Sequence, residues 1–209
     1  MNQQQPNTLP PDYFDNVYRA NEDPWQFASS PYERGKYAAT LAALPRPHYE
    51  RAFEIGCSIG VLTAQLATRC GHLLSVDVSE AALAQARQRC AQLPQVETKK
   101  MQIPNEFPEG KFDLILVSEV GYYLSPPDLA RTADQMLAAL PPGGQLLLVH
   151  WTPIVPDYPQ TGDEVHEFFL AKAQPNGPLR HLLGQRQDKY RLDLLEKVLI
   201  PASETPAAS

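Results

Sequence analysis

The stretch RAFEIGCSIG, residues 51–60, joins a run of mostly apolar residues to a turn that contains two glycines. Its first half is predicted to form a β-strand that ends at Ile55, and a helix is expected to begin near Gly60. Because glycine has no Cβ, Gly56 and Gly60 let the backbone of such a turn adopt a left-handed conformation or pass close to a ligand. The alternative interpretation is a tight strand-to-helix turn that serves packing alone.

On both sides of this turn, short apolar runs alternate with helical stretches, which is typical of stacked β-α units. The continuous apolar runs LILV at 114–117 and LLLV at 146–149 indicate strands that are covered on both faces, as in a parallel sheet. Right-handed crossovers then place helices on both sides of the sheet. The predicted strands are 51–55, 72–76, 96–99, 112–118 and 145–151, and the predicted helices between them lie near 60–70, 79–92 and 128–140.

The two ends of the chain complete this pattern. Helices are predicted at 12–19 and 32–44, before the first strand, and at 163–173, after the fifth strand. Two further strands, 179–186 and 190–196, are too close together for a crossover helix and must form an antiparallel hairpin. The predicted fold class is therefore α/β, with a doubly wound seven-stranded sheet that is mostly parallel and has an antiparallel C-terminal hairpin.

The length of the chain predicts one domain, which we expect to span residues 12–198. Within it, residues 12–48 are predicted to form an N-terminal helical lid, and residues 49–198 hold the sheet and its helices. Residues 1–11 are polar and carry prolines, so they are expected to be a flexible lead rather than a signal peptide. Residues 199–209 are expected to form a flexible C-terminal tail.

Composition disfavours several classes of function. The formal net charge is −6 and the basic residues form no cluster, which disfavours nucleic acid as a partner. No apolar run approaches the roughly 20 residues of a membrane-spanning helix. The three cysteines, Cys57, Cys70 and Cys90, lack the spacing of a zinc site or a disulfide framework, so reduced thiols are expected. These features predict a soluble, cytoplasmic protein that binds no metal and does not act on nucleic acid.

A second signal of cofactor binding lies at the end of the second predicted strand. Asp77 follows Gly56 by about 20 residues, the spacing at which a carboxylate can accept hydrogen bonds from both hydroxyls of a ribose. The alternative role of Asp77 is a helix cap, but Ser79 can cap this helix, so Asp77 remains available for a ligand. We therefore interpret Asp77 as a candidate ribose ligand.

The glycine pattern separates two classes of nucleotide cofactor. A dinucleotide fingerprint requires Gly-x-Gly-x-x-Gly, but Ser58 and Val61 occupy the second and third glycine positions counted from Gly56. Residues 1–50 also precede the first strand, and a hairpin replaces the second nucleotide-binding half. A nicotinamide-dependent oxidoreductase is therefore the alternative function, and a non-catalytic binding module of the same fold is another.

The order of these motifs resembles the class I S-adenosylmethionine-dependent methyltransferases. The residues that carry the resemblance are EIGCSIG at 54–60, Asp77, FDLI at 112–115 and LPPGG at 140–144. More narrowly, YFD at 13–15, DPW at 23–25 and EVGYYL at 119–124 are similar to the nodulation-protein N-methyltransferases (NodS-like), which methylate an amino sugar of a chitooligosaccharide. The resemblance implies a Rossmann-like fold, S-adenosyl-L-methionine as cofactor, S-adenosyl-L-homocysteine as product, and a small-molecule acceptor.

The resemblance also implies a set of cofactor contacts. Trp25 would stack on the cofactor unless it is a packing anchor, Lys36 would pair with the cofactor's carboxylate, and Cys57 would offer its backbone amide. Two departures from the family pattern are Ser58 in place of the middle glycine and Gln102 where many relatives carry an acidic residue near the adenine. The candidate cofactor-binding residues are Trp25, Tyr32, Lys36, Glu54, Gly56, Cys57, Gly60, Asp77, Val78, Met101, Gln102 and Ser118.

The acceptor side is less determined, because residues 150–166 lie in the region where the family varies most. Glu119 and His150 are the candidate catalytic residues, since both are expected at the ligand-binding edge of the sheet. The candidate substrate contacts are Tyr122, Tyr123, Trp151 and His166. Each has a structural alternative: an ion pair for Glu119, a satisfied polar group for His150, core packing for the tyrosines, or a solvated helix face for His166. Whether a nitrogen or an oxygen is methylated stays open.

Overall fold

A computed structural model describes residues 7–199, so the ends of the predicted lead and tail, residues 1–6 and 200–209, lie outside the described residues. In the described range, none of the helices has the length and the apolar character needed to cross a membrane. Short 3-10 turns occur at Ala67–Arg69, Gly121–Tyr123 and Ala171–Ala173. The helices and strands are α1 (Pro11–Ala20), α2 (Pro31–Ala42), β1 (Tyr49–Ile55), α3 (Val61–Leu66), β2 (Cys70–Asp77), α4 (Glu80–Arg89), β3 (Val96–Lys100), β4 (Leu114–Ser118), α5 (Pro126–Ala139), β5 (Gln145–Trp151), α6 (Gly162–Leu170), β6 (Leu179–Arg186) and β7 (Tyr190–Lys197).

The sheet has seven strands in the order β3-β2-β1-β4-β5-β7-β6. Strands β1 to β5 pair in parallel, whereas β7 pairs antiparallel with both β5 and β6. The predicted fold class is therefore confirmed. Strand order reverses between β1 and β4, and in open α/β sheets ligands bind at the carboxyl ends of the strands beside such a point.

Strand β4 shows why the apolar runs form the centre of the sheet. All five of its residues are buried, and the side chains of the first four alternate between two apolar clusters. Ile115 and Val117 pack in the cluster that includes Met136 of α5 and Phe169 of α6. Leu114 and Leu116 pack in the other cluster, which includes side chains from α2 and α3. Helices on both faces thus exclude water from the sheet, which the absence of alternation in the sequence predicted.

Helix starts follow local signals. Proline occupies the first turn of α1, α2 and α5, where its missing N–H costs no hydrogen bond. The side chain of Thr161 accepts a hydrogen bond from the N–H of Glu164, and the Glu164 carboxylate accepts from the N–H of Thr161, which forms a capping box at α6. The predicted helix at 60–70 is shorter than expected, because Cys70 already pairs with Tyr49 as the first residue of β2.

The described end of the predicted flexible lead is held against the domain. The N–H of Leu9 donates to the carbonyl oxygen of Tyr123 at 2.9 Å. The hydroxyl of Thr8 donates to Asp128 at 2.5 Å and accepts from the N–H of Ser125 at 2.8 Å. These contacts fasten the entry to α1 beside the 3-10 turn at Gly121–Tyr123.

Candidate functional site

A cavity of about 750 Å³ opens at the carboxyl edge of β1, β2 and β4, where the strand order reverses. Its volume lies within the roughly 300–1,000 Å³ of small-molecule sites. Of the predicted site residues, Gly60, His150 and His166 do not line it. Those that line it are Trp25, Tyr32, Lys36, Glu54, Gly56, Cys57, Asp77, Val78, Met101, Gln102, Ser118, Glu119, Tyr122, Tyr123 and Trp151.

The two glycines of the turn after β1 have positive φ, +82° at Gly56 and +78° at Gly60. A Cβ on Gly60 would lie 2.9 Å from Cα of Ala86 in α4, so this glycine is required where α3 packs against α4. The packing interpretation is therefore right for Gly60, and its predicted contact with cofactor is corrected. Gly56 does line the cavity, although a Cβ there would also lie 2.1 Å from Cγ2 of Val120.

Ser58, which replaces the middle glycine of the family pattern, is accommodated with a φ of +51°. Its hydroxyl lies 2.5 Å from the hydroxyl of Tyr18 on α1, and its N–H donates to Oδ2 of Asp77 at 2.9 Å. A side chain at this position therefore fastens α1 to the glycine turn, a contact that glycine could not make.

Asp77 has more local partners than the sequence predicted. Its Oδ1 accepts from the N–H of Ser79 at 2.9 Å, in addition to the contact of Oδ2 with Ser58. Burial raises the pKa of Asp77, and the hydrogen bonds from these two amides act in the opposite direction. The sequence argument assumed that Asp77 has no structural role once Ser79 caps the helix. The structure shows that the Asp77 carboxylate does have one, because it connects the glycine turn to the start of α4. A carboxylate accepts about four hydrogen bonds, so lone pairs remain for a ligand.

Cys57 and Glu54 line the cavity but form their hydrogen bonds with other residues of the protein. The N–H of Cys57 donates to the carbonyl oxygen of Val76 at 3.0 Å, so the predicted offer of this amide to a cofactor is corrected. Burial raises the pKa of the Cys57 thiol well above its usual value. Oε2 of Glu54 accepts from the hydroxyls of Thr63 and Ser75, each at 2.7 Å, and burial raises the pKa of this carboxyl group.

A charged cluster borders the cavity at the end of β4. Nζ of Lys36 lies 2.5 Å from Oε1 of Glu119 and 3.1 Å from Oε1 of Glu33. Burial opposes the charge on Lys36, but the two carboxylates outweigh burial and raise its pKa. The sequence did not predict these two protein partners of Lys36, and its pairing with a cofactor carboxylate stays a prediction.

The other oxygen of Glu119 is also occupied. Oε2 accepts from the hydroxyl of Tyr122 at 2.6 Å and from the N–H of Trp151 at 2.8 Å. Glu119 itself has a φ of +58°, an uncommon conformation for a residue with a side chain. Three donors thus fix one carboxylate group at the cavity wall.

Tyr32 brings an unsatisfied polar atom to the cavity. Its hydroxyl oxygen is buried and has no hydrogen-bond partner among residues 7–199. Burial raises the pKa of Tyr32, and the nearby charge of Glu119 adds to this. A buried hydroxyl without a partner is costly, which makes this atom of a cavity-lining residue a candidate partner for a ligand.

His150 and His166 are placed away from the cavity. Both are 0% exposed, and Nδ1 of His150 lies 3.0 Å from Nε2 of His166. Nε2 of His150 accepts from the N–H of Gly121 at 3.0 Å, and Nδ1 of His166 lies 2.6 Å from Oδ2 of Asp193. Burial lowers the pKa of both histidines. Their predicted contacts with substrate are corrected, and α6 presents His166 to the interior rather than to solvent.

The family model of Nodulation protein S (NodS) matches residues 16–150 of the chain, which contain the glycine turn, Asp77 and Glu119. The chain belongs to the NodS family. Nodulation protein S from Rhizobium tropici is 32% identical over 130 residues, which are 61% of this chain and 55% of that protein. The match with curated relatives thus spans little more than half of their length.

Two solved structures are similar to this NodS family member. A candidate methyltransferase from Pseudomonas syringae is 40% identical with a TM-score of 0.69, over 79% of this chain and 99% of that chain. The N-methyltransferase NodS from Bradyrhizobium japonicum WM9, in complex with S-adenosyl-L-homocysteine, is 25% identical with a TM-score of 0.76, over 88% of this chain and 99% of that chain. These relatives confirm the resemblance to S-adenosylmethionine-dependent methyltransferases.

Several residues that line the cavity of this NodS family member were missed in the sequence. Tyr158 lies in the irregular segment between β5 and α6, where no periodicity marks it. Its ring stacks on Tyr122, with centroids 5.1 Å apart, and packs edge-on against Tyr123 at 4.8 Å. Tyr18 was expected on a helix, but its proximity to Ser58 depends on how α1 folds back over the sheet.

Trp25 illustrates a residue with two tasks in this NodS family member. Its ring packs edge-on against Tyr18 and stacks on Phe27, each with centroids 5.5 Å apart. The anchor interpretation therefore describes part of its role. Because Trp25 also lines the cavity, contact with a ligand stays a prediction.

Proposed function

We propose that this NodS family member is an S-adenosylmethionine-dependent methyltransferase that methylates a nitrogen atom of a small-molecule amine, with an amino sugar as the first candidate. The observation that carries the proposal is a single cavity that joins Asp77 and the glycine turn to Glu119. Ligands of open α/β sheets bind at this edge. The family model covers the same residues, which disfavours the nicotinamide-dependent alternative.

The residues around the glycine turn fit a sulfonium nucleoside. The remaining lone pairs of Asp77 would bind the ribose hydroxyls, Val78 and Met101 would lie beside the adenine, and the Tyr32 hydroxyl would bind a polar group of the cofactor. When bound, this cofactor supplies a methyl group on a positively charged sulfur. Four carboxylates but only two lysines line the cavity, and this excess of negative charge favours a cationic ligand. The carboxylates are those of Glu33, Glu54, Asp77 and Glu119.

Glu119 would act through its charge. An amine acceptor is protonated in water and must lose a proton before its nitrogen can attack a methyl group. Because Lys36, Tyr122 and Trp151 already donate to Glu119, we expect this carboxylate to attract the ammonium group rather than to take its proton. The amine would release that proton to solvent as it enters the cavity, and Glu119 would then orient the neutral amine by accepting a hydrogen bond from a remaining N–H. The aromatic rings beside it would exclude water and hold the nitrogen in line, which is the main requirement of this displacement.

Two measurements test the proposal. Isothermal titration is expected to show binding of S-adenosyl-L-homocysteine and none of NADH; binding of NADH alone would contradict the proposal. The second measurement follows transfer of a labelled methyl group from S-adenosylmethionine to a tetramer of β-1,4-linked glucosamine. A tetramer of N-acetylglucosamine, which has the same hydroxyls but no free amine, is the control.

The acceptor experiment separates the alternatives. Transfer to glucosamine alone supports an amine acceptor, and equal transfer to both tetramers indicates a hydroxyl acceptor. Binding of S-adenosyl-L-homocysteine without transfer to any amine or hydroxyl would point to a non-catalytic binding module.

A further inference from the structure

Three buried side chains connect β7 to the 3-10 turn at the edge of the cavity. Asp193 lies on β7, His166 on α6 and His150 on β5, and each is at most 1% exposed. Oδ2 of Asp193 lies 2.6 Å from Nδ1 of His166, and Nε2 of His166 lies 3.0 Å from Nδ1 of His150. Nε2 of His150 lies 3.0 Å from the backbone nitrogen of Gly121. These contacts form an unbroken path of hydrogen bonds.

The direction of every hydrogen bond in this path follows from its end at Gly121. A backbone N–H can only donate, so Nε2 of His150 must accept and carries no proton. The proton of His150 is then on Nδ1, which donates to Nε2 of His166. His166 in turn must carry its proton on Nδ1 and donate to the Asp193 carboxylate. Both histidines are therefore neutral, with the proton on Nδ1.

At the β7 end of the path, the Asp193 carboxylate contacts Arg191 and His181. Oδ1 of Asp193 lies 2.7 Å from Nε2 of His181, and Oδ2 accepts from Nε of Arg191 at 2.8 Å. Burial alone would raise the pKa of Asp193, but His166 and Arg191 lower it. Arg191 also forms ion pairs with Glu167 and Asp163. An ionised Asp193 thus accepts from His166 and keeps that ring in one tautomer.

The near end of the path reaches the cavity through the backbone. A Cβ on Gly121 would lie 2.9 Å from Nε2 of His150 and 2.6 Å from Cγ1 of Val165, so the turn packs directly on His150 and α6. The next residue, Tyr122, donates its hydroxyl to Glu119. The position of the Gly121 amide therefore affects the groups that border the acceptor side of the cavity.

We propose that His150 is a positioning residue: held in one tautomer by His166 and Asp193, it fixes the turn that presents Glu119, Tyr122 and Tyr123 to the acceptor. It acts through the Gly121 amide and touches neither acceptor nor cofactor. This assignment rests on the proposed methyltransferase function for its kinetic consequence. It differs from the catalytic contact that the sequence predicted for His150.

A matched pair of substitutions separates the two hydrogen bonds of His150. In His150→Gln, the side-chain oxygen reaches the position of Nε2 and can accept from Gly121. In His150→Asn, the shorter amide reaches only the position of Nδ1, so the bond to Gly121 is lost. We expect kcat/KM for the glucosamine tetramer to fall about 10-fold or more in His150→Asn, the equivalent of one net hydrogen bond. We expect His150→Gln to retain most of it.

The affinity for S-adenosyl-L-homocysteine should be the same in both variants, because neither substitution changes a contact of Asp77 or of the glycine turn. A purely structural role of His150 predicts instead that both variants lose activity in proportion to their loss of thermal stability. Equal kinetic losses at equal stability would overturn the proposal.

Two NMR measurements do not depend on activity. In the unsubstituted protein, the imidazole ¹⁵N shifts should show Nδ1–H for both His150 and His166; a proton on Nε2 of His150 would overturn the proposal. The Gly121 amide should exchange with solvent about 10-fold faster or more in His150→Asn but not in His150→Gln. If the unsubstituted protein transfers no methyl group, the proposed function fails, and these measurements still decide whether His150 positions the turn.

Discussion

At the scale of single residues, Asp77 combines a structural task with a candidate binding task. Its two oxygens each accept a backbone N–H, one from the glycine turn and one from the start of α4. Asp113 makes the same kind of contact elsewhere, since its oxygens accept from the N–H groups of Glu50 and Arg51, each at 2.9 Å. Asp113 does not line the cavity, so the chain contains its own control for the structural task.

Asp77→Asn is expected to weaken binding of S-adenosyl-L-homocysteine by about 1–3 kcal/mol. The neutral amide loses one of two acceptor oxygens, which leaves a ribose hydroxyl without its charged partner. Isothermal titration measures the affinity. Asp113→Asn should reduce the free energy of unfolding about as much as Asp77→Asn does, but leave the affinity for S-adenosyl-L-homocysteine unchanged. An equal loss of affinity in both variants would remove Asp77 from the binding site.

At the scale of elements, the packing of α3 against α4 depends on the residue that precedes α3. Gly60 has a positive φ and leaves no space for a Cβ beside Ala86. Gly35, in contrast, lies inside α2 with no atom within 4 Å of an added Cβ. The same substitution should therefore have opposite effects at the two positions.

Gly60→Ala is expected to lower the free energy of unfolding by about 2 kcal/mol or more, through an unfavourable positive φ and a clash with the backbone of α4. Gly35→Ala is expected to raise it by about 0.5–1 kcal/mol, because alanine favours the helix more than glycine does. Urea denaturation measures both changes. A neutral Gly60→Ala would show that α3 can shift on α4.

At the scale of the whole molecule, burying two neutral histidines links stability to pH. Burial lowers the pKa of His150 and of His166 in the folded protein, whereas both have a pKa near 6.5 when unfolded. Below about pH 6.5 the unfolded chain therefore binds more protons than the folded chain. The contribution to stability is fully present above this pH and is lost as pH falls.

We expect the free energy of unfolding to fall by up to about 1.4 kcal/mol per pH unit for each of the two histidines below pH 6.5. Urea denaturation at pH 7.5 and 5.5 tests this. The buried carboxyl groups of Glu54 and Asp77 have raised pKa values, so they act in the opposite sense as pH rises above their ordinary pKa of about 4. His150→Gln should reduce the slope that the histidines contribute; a slope that this substitution leaves unchanged would contradict the prediction.

The architecture could be predicted because its signals are local. Continuous apolar runs mark β4 and β5, and the three residues between the last two strands leave space only for a hairpin. The order of the glycine turn, Asp77 and Glu119 along the chain predicts the same edge of the sheet, because parallel strands bring their carboxyl ends together. Most of the candidate cofactor residues accordingly line one cavity.

The partners of charged and polar side chains depend on the tertiary structure. Lys36 was expected to bind a ligand, but its contact with Glu119, which lies 83 residues further along the chain, was not predicted. His150 and His166 were expected at the cavity but form a path to Asp193 on β7. Sequence periodicity determines which residues form strands and helices, and thereby which edge of the sheet holds the site. It does not determine which buried donor meets which acceptor, because that pairing arises only when distant elements pack together and each buried polar group must be satisfied.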